Sequence, residues 1–210
     1  MQSVIHEIYQ GILDGQHILV GERVRAALNG GQAPAAVLEQ GMIGSMAEVG
    51  RRYETGEYYV PEMLLSARAM QAGLAVIKPY LREADVKATG RVVIGTVQGD
   101  LHDIGKSLVG MMLEGAGFEV LDLGTDVSVE RFVSAADDVD VIGLSALLTT
   151  TMPGMEAVID ALQAAGKRAR VKVIVGGAPV TASFAKSIGA DGYAPDASRA
   201  VRLTLNLLGR

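Results

Sequence analysis

One of the three histidines in this 210-residue chain lies between two aspartates. The segment GDLHDIGKSLV carries Asp100, His102 and Asp103 directly after the apolar run RVVIGTVQ. An imidazole can bind a metal, act as a general base or satisfy a hydrogen bond. A carboxylate bonded to one ring nitrogen fixes the tautomer and makes the other nitrogen more basic. The segment therefore indicates metal or acid–base chemistry, with an ordinary loop histidine and its ion-pair partner as the alternative.

A metal bound by His102 would need its remaining ligands from elsewhere. A self-contained zinc site takes several protein ligands, but the chain has no cysteine and no second histidine near this loop. A single histidine ligand points instead to a metal held by a macrocyclic cofactor. Asp100 is interpreted as the carboxylate that orients His102, and Asp103 as the N-cap of the following helix.

Composition excludes several classes of protein. A net charge of -5 argues against a nucleic-acid partner, and the lack of cysteine excludes a disulfide scaffold and thiolate metal sites. The charged start, MQSVIHEIYQGILDG, is unlike a signal peptide. No apolar run approaches the about 20 residues of a membrane span. We expect a soluble cytoplasmic protein with a well-buried core and no membrane partner.

Residues 1–83 read as a bundle of helices. Their apolar residues recur with helical spacing over 2–13, 16–29, 34–54 and 61–82. Four helices with short connections predict an antiparallel bundle. The polar stretch 84–90 then predicts a linker before a second domain, 91–210.

The second domain alternates strands and helices. The strand candidates are RVVIGTV, FEVLDLG, VDVIGLS, VKVIVGG and DGYA. The helix candidates cover 104–116, 128–137, 154–166, 179–189 and 197–208. Near-continuous apolar strands separated by helices predict a parallel sheet covered on both faces. We expect an α/β domain, flavodoxin-like and doubly wound, with a five-stranded parallel sheet.

Ligands of open parallel sheets lie beyond the carboxyl ends of the strands. Four predicted loops reach that edge, with the sequences GDLHDIGK, SALLTTTMPG, GGAPVTAS and APDASRAV. Small and hydroxyl-bearing residues dominate them, which predicts a roomy, mostly uncharged pocket for a large neutral ligand tail. Simpler interpretations exist for each loop. Gly176 and Gly177 could form a plain turn, and residues 149–151 could extend a strand.

Three motifs on this predicted fold resemble those of cobalamin-binding domains. Residues 100–105, DLHDIG, resemble the D-x-H-x-x-G signature; residues 145–147, SAL, resemble the S-x-L element; Gly176 and Gly177 resemble the G-G element. The stretch RRYETGEYYVPEMLLSARAM is similar to the helical cap of methionine synthase and of corrinoid proteins in methyltransferase systems. The resemblance to these cobalamin-binding corrinoid proteins covers nearly the whole chain.

The resemblance implies roles for individual residues. His102 would be the lower axial ligand of cobalt in base-off cobalamin, with Asp100 and then Thr151 continuing the hydrogen-bond relay. The residues implied to bind the corrin and its displaced nucleotide tail are Gly99, Asp100, Leu101, His102, Asp103, Ile104, Gly105, Ser145, Leu147, Thr149, Thr151, Gly176, Gly177 and Ala197. Cap residues Tyr59, Val60 and Met63 would lie near the upper face of the corrin, with apolar core packing as their alternative.

The resemblance also implies a carrier of methyl groups, cycling between cob(I)alamin and methylcobalamin. Its expected partners are a substrate-specific methyltransferase, an acceptor methyltransferase and a corrinoid-reactivating protein, so the chain would not be catalytic alone. One alternative is a cobalamin-sensing regulatory protein that acts through a protein partner. Another is a nucleotide-binding or flavodoxin-like domain without cobalamin, which leaves His102 unexplained and lacks a G-x-x-x-x-G-K-[ST] loop. The sequence names neither methyl donor nor acceptor.

Overall fold

A computed structural model describes residues 3–210 and divides the chain into two compact units. The first, which we call the helical unit, contains the N-terminal helices up to Ala88 together with Glu114–Gly117. The second, the sheet unit, comprises Thr89–Leu113 and Phe118–Arg210. Within residues 3–210, no helix is long and apolar enough to cross a membrane.

The helical unit consists of four helical rods. They are formed by α1 (Val4–Leu13), α2 (His17–Asn29), α3 (Pro34–Ala36) with α4 (Gly44–Glu54), and α5 (Val60–Glu83). Residues Val37–Ile43, between α3 and α4, are π-helical, so the run from Pro34 to Glu54 is continuous. The predicted helices match these rods closely; residue 2, the predicted start of the first helix, lies outside the described residues.

Close helix contacts organise the interior of this unit. A Cβ on Gly73 of α5 would lie 2.7 Å from the Met42 side chain, so a glycine lets the π-helical segment approach α5 closely. The carbonyl of Leu13, at the end of α1, accepts hydrogen bonds from the Tyr58 hydroxyl and the buried Ser66 hydroxyl. These two bonds satisfy a helix-end carbonyl that has no partner within its own helix.

The sheet unit alternates five strands with five α-helices among the described residues. They are β1 (Arg91–Thr96), α6 (Ile104–Gly115), β2 (Glu119–Asp122), α7 (Val129–Ala135), β3 (Val141–Ser145), α8 (Pro153–Ala164), β4 (Lys172–Gly176), α9 (Ala182–Ser187), β5 (Gly192–Tyr193) and α10 (Ala197–Leu207). All strand pairs are parallel, in the order β2-β1-β3-β4-β5. The predicted fold class, a flavodoxin-like doubly wound sheet, is confirmed.

The strand register aligns the edge where a ligand is expected. Thr96 at the end of β1 pairs with Ser145 at the end of β3, and Ser145 pairs with Gly176 at the end of β4. The chain leaves β1 toward β2 on one side and reaches β3 on the other, so the order reverses between β1 and β3. Loops diverge at such a switch point and leave a crevice for a ligand.

Two predicted helices are shorter in the structure. The helix predicted for 179–189 begins only at Ala182, because Thr181 caps it by accepting a hydrogen bond from the Phe184 N–H. The helix predicted for 128–137 ends at Ala135 and continues as a 3₁₀ turn, Ala136–Asp138.

Candidate functional site

The loop between β1 and α6 is built around a fully buried carboxylate. Asp100 has no exposed surface and accepts five hydrogen bonds. Its Oδ1 accepts from the ring Nδ1 of His102 at 2.7 Å and from the His102 backbone N–H at 3.1 Å. Its Oδ2 accepts from the N–H groups of Leu147 and Leu148 at 2.8 and 3.2 Å, and from the Thr151 hydroxyl at 2.7 Å. One carboxylate therefore joins the loops that follow β1 and β3.

These donors set the protonation state of Asp100. Burial by itself raises the pKa of the carboxyl, but hydrogen bonds from the Leu147 N–H, the Thr151 hydroxyl and His102 outweigh burial. The pKa of Asp100 is therefore held well below its usual range. Asp100 is an anion at neutral pH and can act only as a hydrogen-bond acceptor.

An ionised Asp100 dictates which nitrogen of His102 carries the proton. Nδ1 must donate to the carboxylate, so the neutral ring has its lone pair on Nε2. The His102 side chain is 51% exposed, whereas Asp100 is fully buried. The Thr96 hydroxyl donates to the His102 carbonyl at 2.8 Å and fixes the backbone of the residue. The arrangement presents a basic, accessible nitrogen of defined tautomer to a ligand.

Thr151 lies in the turn that directly precedes α8. Its hydroxyl oxygen is 2.7 Å from Asp100 Oδ2 and 2.9 Å from the Leu148 carbonyl. The structure thus brings together the three residues predicted to form a relay, in the order Thr151, Asp100, His102. The hydroxyl favours the ionised form of Asp100, because a neutral acid would lose acceptor strength.

Glycines shape the edge of the sheet beyond β4. Gly177 has a φ of +129°, and a Cβ on it would lie 1.9 Å from the Ala146 carbonyl oxygen, so no side chain can stand there. A Cβ on Gly176 would lie 3.0 Å from the Ala194 carbonyl oxygen. The space beside Gly105 is open, since a Cβ at this position would have no neighbouring atom within 4 Å. The glycines at 176 and 177 therefore allow close packing of backbone at the end of β4, whereas the surroundings of Gly105 are open.

Exposed apolar side chains accompany His102 in the two loops. Leu101 and Ile104 are 74% and 77% exposed, and Leu147 and Leu148 are 42% and 43% exposed. Such an apolar group is typical of a surface that binds a ligand or a partner. An apolar surface beside one available imidazole nitrogen suits a bulky cofactor that brings its own metal.

The other predicted residues of the sheet unit take different positions. Ser145 is half-buried at the end of β3, and Thr149 is exposed in the loop that follows. Ala197 is buried at the first turn of α10. Asp103 is exposed and directly precedes α6, where its carbonyl accepts from the Ser107 N–H at 2.7 Å.

The three predicted cap residues differ in exposure. Tyr59 and Val60, where α5 begins, are 67% and 40% exposed, whereas Met63 is fully buried in the helical unit. The Tyr59 N–H is held by the Glu62 carboxylate at 2.9 Å, which fixes the start of the helix. The core-packing alternative therefore describes Met63 in this structure.

Sequence reasoning missed several residues that support the loop between β1 and α6, residues 97–103, which we call the histidine loop. Thr96 holds the His102 carbonyl, and Asp126 contacts the Gly99 N–H. Lys106 of α6 is buried and pairs with Asp122 at the end of β2. The available signal was placement: Asp122 lies near the end of the predicted strand FEVLDLG and Asp126 follows it, so both were expected near the same edge of the sheet.

Comparison with known proteins identifies the family. A family model described as a B12 binding domain matches residues 90–202, and a second one of the same description matches residues 4–78. The chain belongs to the family of B12-binding corrinoid proteins. It is 39% identical to a corrinoid protein of Desulfitobacterium hafniense over the full length of both chains. It is 47% identical to dimethylamine corrinoid protein 1 of Methanosarcina acetivorans, and that match covers 83% of this chain and 84% of the relative.

A solved structure supports the same family assignment. The methanol:cobalamin methyltransferase complex of Methanosarcina barkeri contains a chain with a TM-score of 0.88 and 30% identity, and the match covers 98% of this corrinoid protein and 80% of that chain. The predicted family and the predicted cofactor, cobalamin, are both confirmed.

The residues of this chain fit that cofactor. Among the described residues there is no cluster of three or more His, Cys, Asp or Glu side chains that could hold a bare metal ion. A cofactor that carries its own cobalt needs only one protein nitrogen, and His102 Nε2 is available. The open space at Gly105, beside the exposed side chains of Leu101 and Ile104, leaves room for a large ligand.

Proposed function

We propose that this corrinoid protein carries a methyl group on cobalamin between partner methyltransferases, with His102 as the lower axial ligand of cobalt. The observation that carries the proposal is the hydrogen bond between Asp100 Oδ1 and His102 Nδ1 inside a B12-binding domain. Bound cobalamin supplies a cobalt that accepts and releases a methyl group, chemistry that amino-acid side chains lack. The remaining work, which is to bind, orient and tune, falls to residues of the chain.

His102 supplies the ligand atom. Because ionised Asp100 keeps the proton on Nδ1, Nε2 keeps its lone pair without any change of tautomer on binding. Ligation by His102 requires the cofactor's own base to leave the cobalt, which is the base-off form. We propose that the displaced nucleotide tail follows the sheet edge along Ser145, Gly176, Gly177 and Ala197.

Asp100 and Thr151 tune the basicity of the ligand. An anion at Nδ1 increases electron donation from Nε2, as carboxylate partners do for other metal-bound histidines. The Thr151 hydroxyl and the N–H groups of Leu147 and Leu148 stabilise that anion. The proton therefore stays on His102 Nδ1 and is shared with Asp100 only through the hydrogen bond between them.

The proposed partners follow from the names of the relatives. The matched curated proteins include dimethylamine and trimethylamine corrinoid proteins, and the matched structure is a methanol:cobalamin methyltransferase complex. We infer that a substrate-specific methyltransferase loads this chain from a small methylated compound and that an acceptor methyltransferase unloads it. In this proposal the partner determines the substrate class.

The proposal is tested by reconstituting the protein with hydroxocobalamin and reducing it to the cobalt(II) form. His102→Gly should still bind the corrin but give a visible spectrum without a nitrogen ligand, and added imidazole should restore the wild-type spectrum. His17→Gly, a substitution in the helical unit, is the matched control and should leave the spectrum unchanged. Identical spectra for wild type and His102→Gly would contradict ligation by His102. Methyl transfer from the loaded protein to a partner methyltransferase then tests the carrier role.

A further inference from the structure

We propose that Asp126 is a positioning residue for the cobalt ligand, acting through the backbone of the residues that precede His102. The inference rests on the proposed function, since it assigns a role toward the ligation by His102. Asp126 lies between β2 and α7, and neither its own sequence neighbourhood nor the cobalamin motifs point to it.

Asp126 holds the start of the histidine loop with two hydrogen bonds of opposite direction. The Gly99 N–H donates to Asp126 Oδ1 at 2.7 Å, and the Asp126 N–H donates to the Asp100 carbonyl at 3.0 Å. The two bonds enclose the peptide unit that joins Gly99 to Asp100. The orientation of this peptide sets the direction in which the Asp100 side chain leaves the backbone.

Both partners adopt an uncommon backbone conformation. Asp126 has a φ of +52° and Gly99 a φ of +83°. Within residues 3–210, Asp126 and Asp85 are the non-glycine residues with positive φ. Aspartate enters the left-handed region more readily than most side chains do, though at some cost. Such strain persists where the surrounding structure enforces it and is typical of functional sites.

The segment that carries Asp126 is itself firmly attached to the sheet. The Val127 N–H donates to the Thr96 carbonyl, and the Thr96 N–H donates to the Gly124 carbonyl, both at 3.0 Å. The Gly124 N–H donates to Asp122, which also pairs with the buried Lys106 of α6. These bonds fix Asp126 relative to β1 and β2, and Asp126 in turn fixes the histidine loop relative to the same strands.

The chain of contacts ends at the ligand atom. Asp126 fixes the Gly99–Asp100 peptide, Asp100 fixes His102 Nδ1, and the ring then directs Nε2. Asp126 does not touch His102, so its effect must appear as a change in how well the histidine is held. Losing the Asp126 carboxylate should let the loop move and reduce the share of protein in which His102 reaches cobalt.

Three variants separate the carboxylate from the backbone conformation. Asp126→Gly permits the same φ and keeps the N–H that bonds Asp100, but it removes the acceptor for Gly99. Asp126→Asn keeps a side-chain oxygen acceptor and tolerates positive φ. Asp85→Gly is the matched control, because it changes the same residue type at a φ of +50° away from the histidine loop.

Two measurements test the proposal. In the cofactor-free protein, Asp126→Gly should speed amide hydrogen exchange at Gly99 by about tenfold or more, since a bond to a charged acceptor is lost. In the cobalt(II) protein grown with ¹⁵N-labelled histidine, at fixed pH, electron paramagnetic resonance should show fewer molecules with the ¹⁵N doublet of a histidine ligand. Asp85→Gly should resemble wild type in both measurements, and Asp126→Asn, whose neutral oxygen still accepts, should lie between wild type and Asp126→Gly.

The outcomes are distinguishable. If Asp126→Gly keeps the wild-type share of histidine-ligated cobalt, Asp126 has no positioning role and the inference is overturned, while ligation by His102 stands. If wild type itself shows no coupling to a protein nitrogen, the proposed function fails and the inference fails with it. If Asp126→Asn, which retains an oxygen acceptor, loses ligation as fully as Asp126→Gly, the hydrogen bond to the Gly99 N–H is not the cause, and the inference that this bond positions the histidine is overturned.

Discussion

The two units each contain a carboxylate whose pKa is lowered, and they achieve this by different means. In the helical unit, hydrogen bonds from Arg51 and Arg52 lower the pKa of Glu48 to about 2. In the sheet unit, Asp100 is fully buried, and backbone N–H groups, a hydroxyl and a histidine outweigh the effect of burial and lower its pKa. Glu48 is stabilised by two partly exposed cations, whereas Asp100 is stabilised mainly by neutral hydrogen-bond donors.

The difference shows what each carboxylate can do. Two arginine side chains neutralise Glu48 through hydrogen bonds of 2.7 to 2.9 Å, so its charge is satisfied by opposite charges at a partly exposed site. The Asp100 donors come mainly from the backbone and are fixed by the fold, so the carboxylate has one orientation and passes it to His102. Oriented dipoles in a water-excluded site are a general means of preorganising chemistry. The contrast predicts that substitution of Asp100 strongly lowers the free energy of unfolding, whereas the contribution of Glu48 to this free energy depends on the salt concentration.

The largest effect is expected from Asp100→Ala. The substitution leaves the N–H groups of Leu147 and Leu148 without their acceptor and frees the His102 ring. We expect the free energy of unfolding to fall by about 2–5 kcal/mol, because two backbone donors are left without an acceptor at about 1–3 kcal/mol each. Urea unfolding of the cofactor-free protein measures it. Asp160→Ala, an exposed aspartate on α8, should change the value by at most about 0.5 kcal/mol. Similar losses for both variants would remove the special status of Asp100.

A smaller effect is expected from Thr151→Val, which removes the hydroxyl and keeps the shape of the side chain. Asp100 Oδ2 then retains only its two backbone donors. We expect a loss of about 1–2 kcal/mol in unfolding free energy, as for a hydrogen bond to a charged group. Thr151→Ser preserves the hydroxyl and should recover most of the loss. A loss for Thr151→Ser as large as that for Thr151→Val would show that the methyl group matters as much as the hydroxyl, and would contradict the assignment to the hydroxyl.

The smallest effect is expected from Glu48→Gln in the helical unit. Its ion pairs with Arg51 and Arg52 are surface contacts, so we expect a loss of about 0.2–1 kcal/mol at low salt, vanishing at high salt. Because the folded pKa lies below the unfolded value of about 4.3, the stabilisation is present above that pH. It is lost as the pH falls toward about 2. Urea midpoints across this pH range, with and without salt, measure it; a salt-independent loss would contradict the surface assignment.

The sequence foretold most of the fold because its patterns are local. Apolar strands alternating with helices led directly to the parallel sheet, and the loop after each strand then had to reach one edge. The π-helical segment Val37–Ile43 was not foreseen, because an apolar pattern hardly distinguishes it from an α-helix. Met63 follows the helical spacing of its apolar neighbours on α5, and this spacing does not distinguish a core residue from a residue that contacts a ligand.

The candidate site was only partly predictable for a similar reason. Asp100, His102 and Thr151 were found through motifs, and the structure brings them together. The contacts of Asp126 with Gly99 and Asp100 depend on the pairing of β1 with β2 and on a positive φ. The position of Asp126 after a predicted strand does not reveal these contacts, because an aspartate in a loop usually serves as a turn residue.

The central claim is that a nitrogen of His102 ligates cobalt. It is tested most directly by growing the protein with ¹⁵N-labelled histidine, loading it with cobalamin of natural isotopic composition and recording electron paramagnetic resonance of the cobalt(II) form. The account predicts that the ligand splitting changes from the triplet of ¹⁴N to the doublet of ¹⁵N, and that His102→Gly abolishes it. A triplet that persists after labelling would show that the cofactor's own base is bound, and would contradict the account.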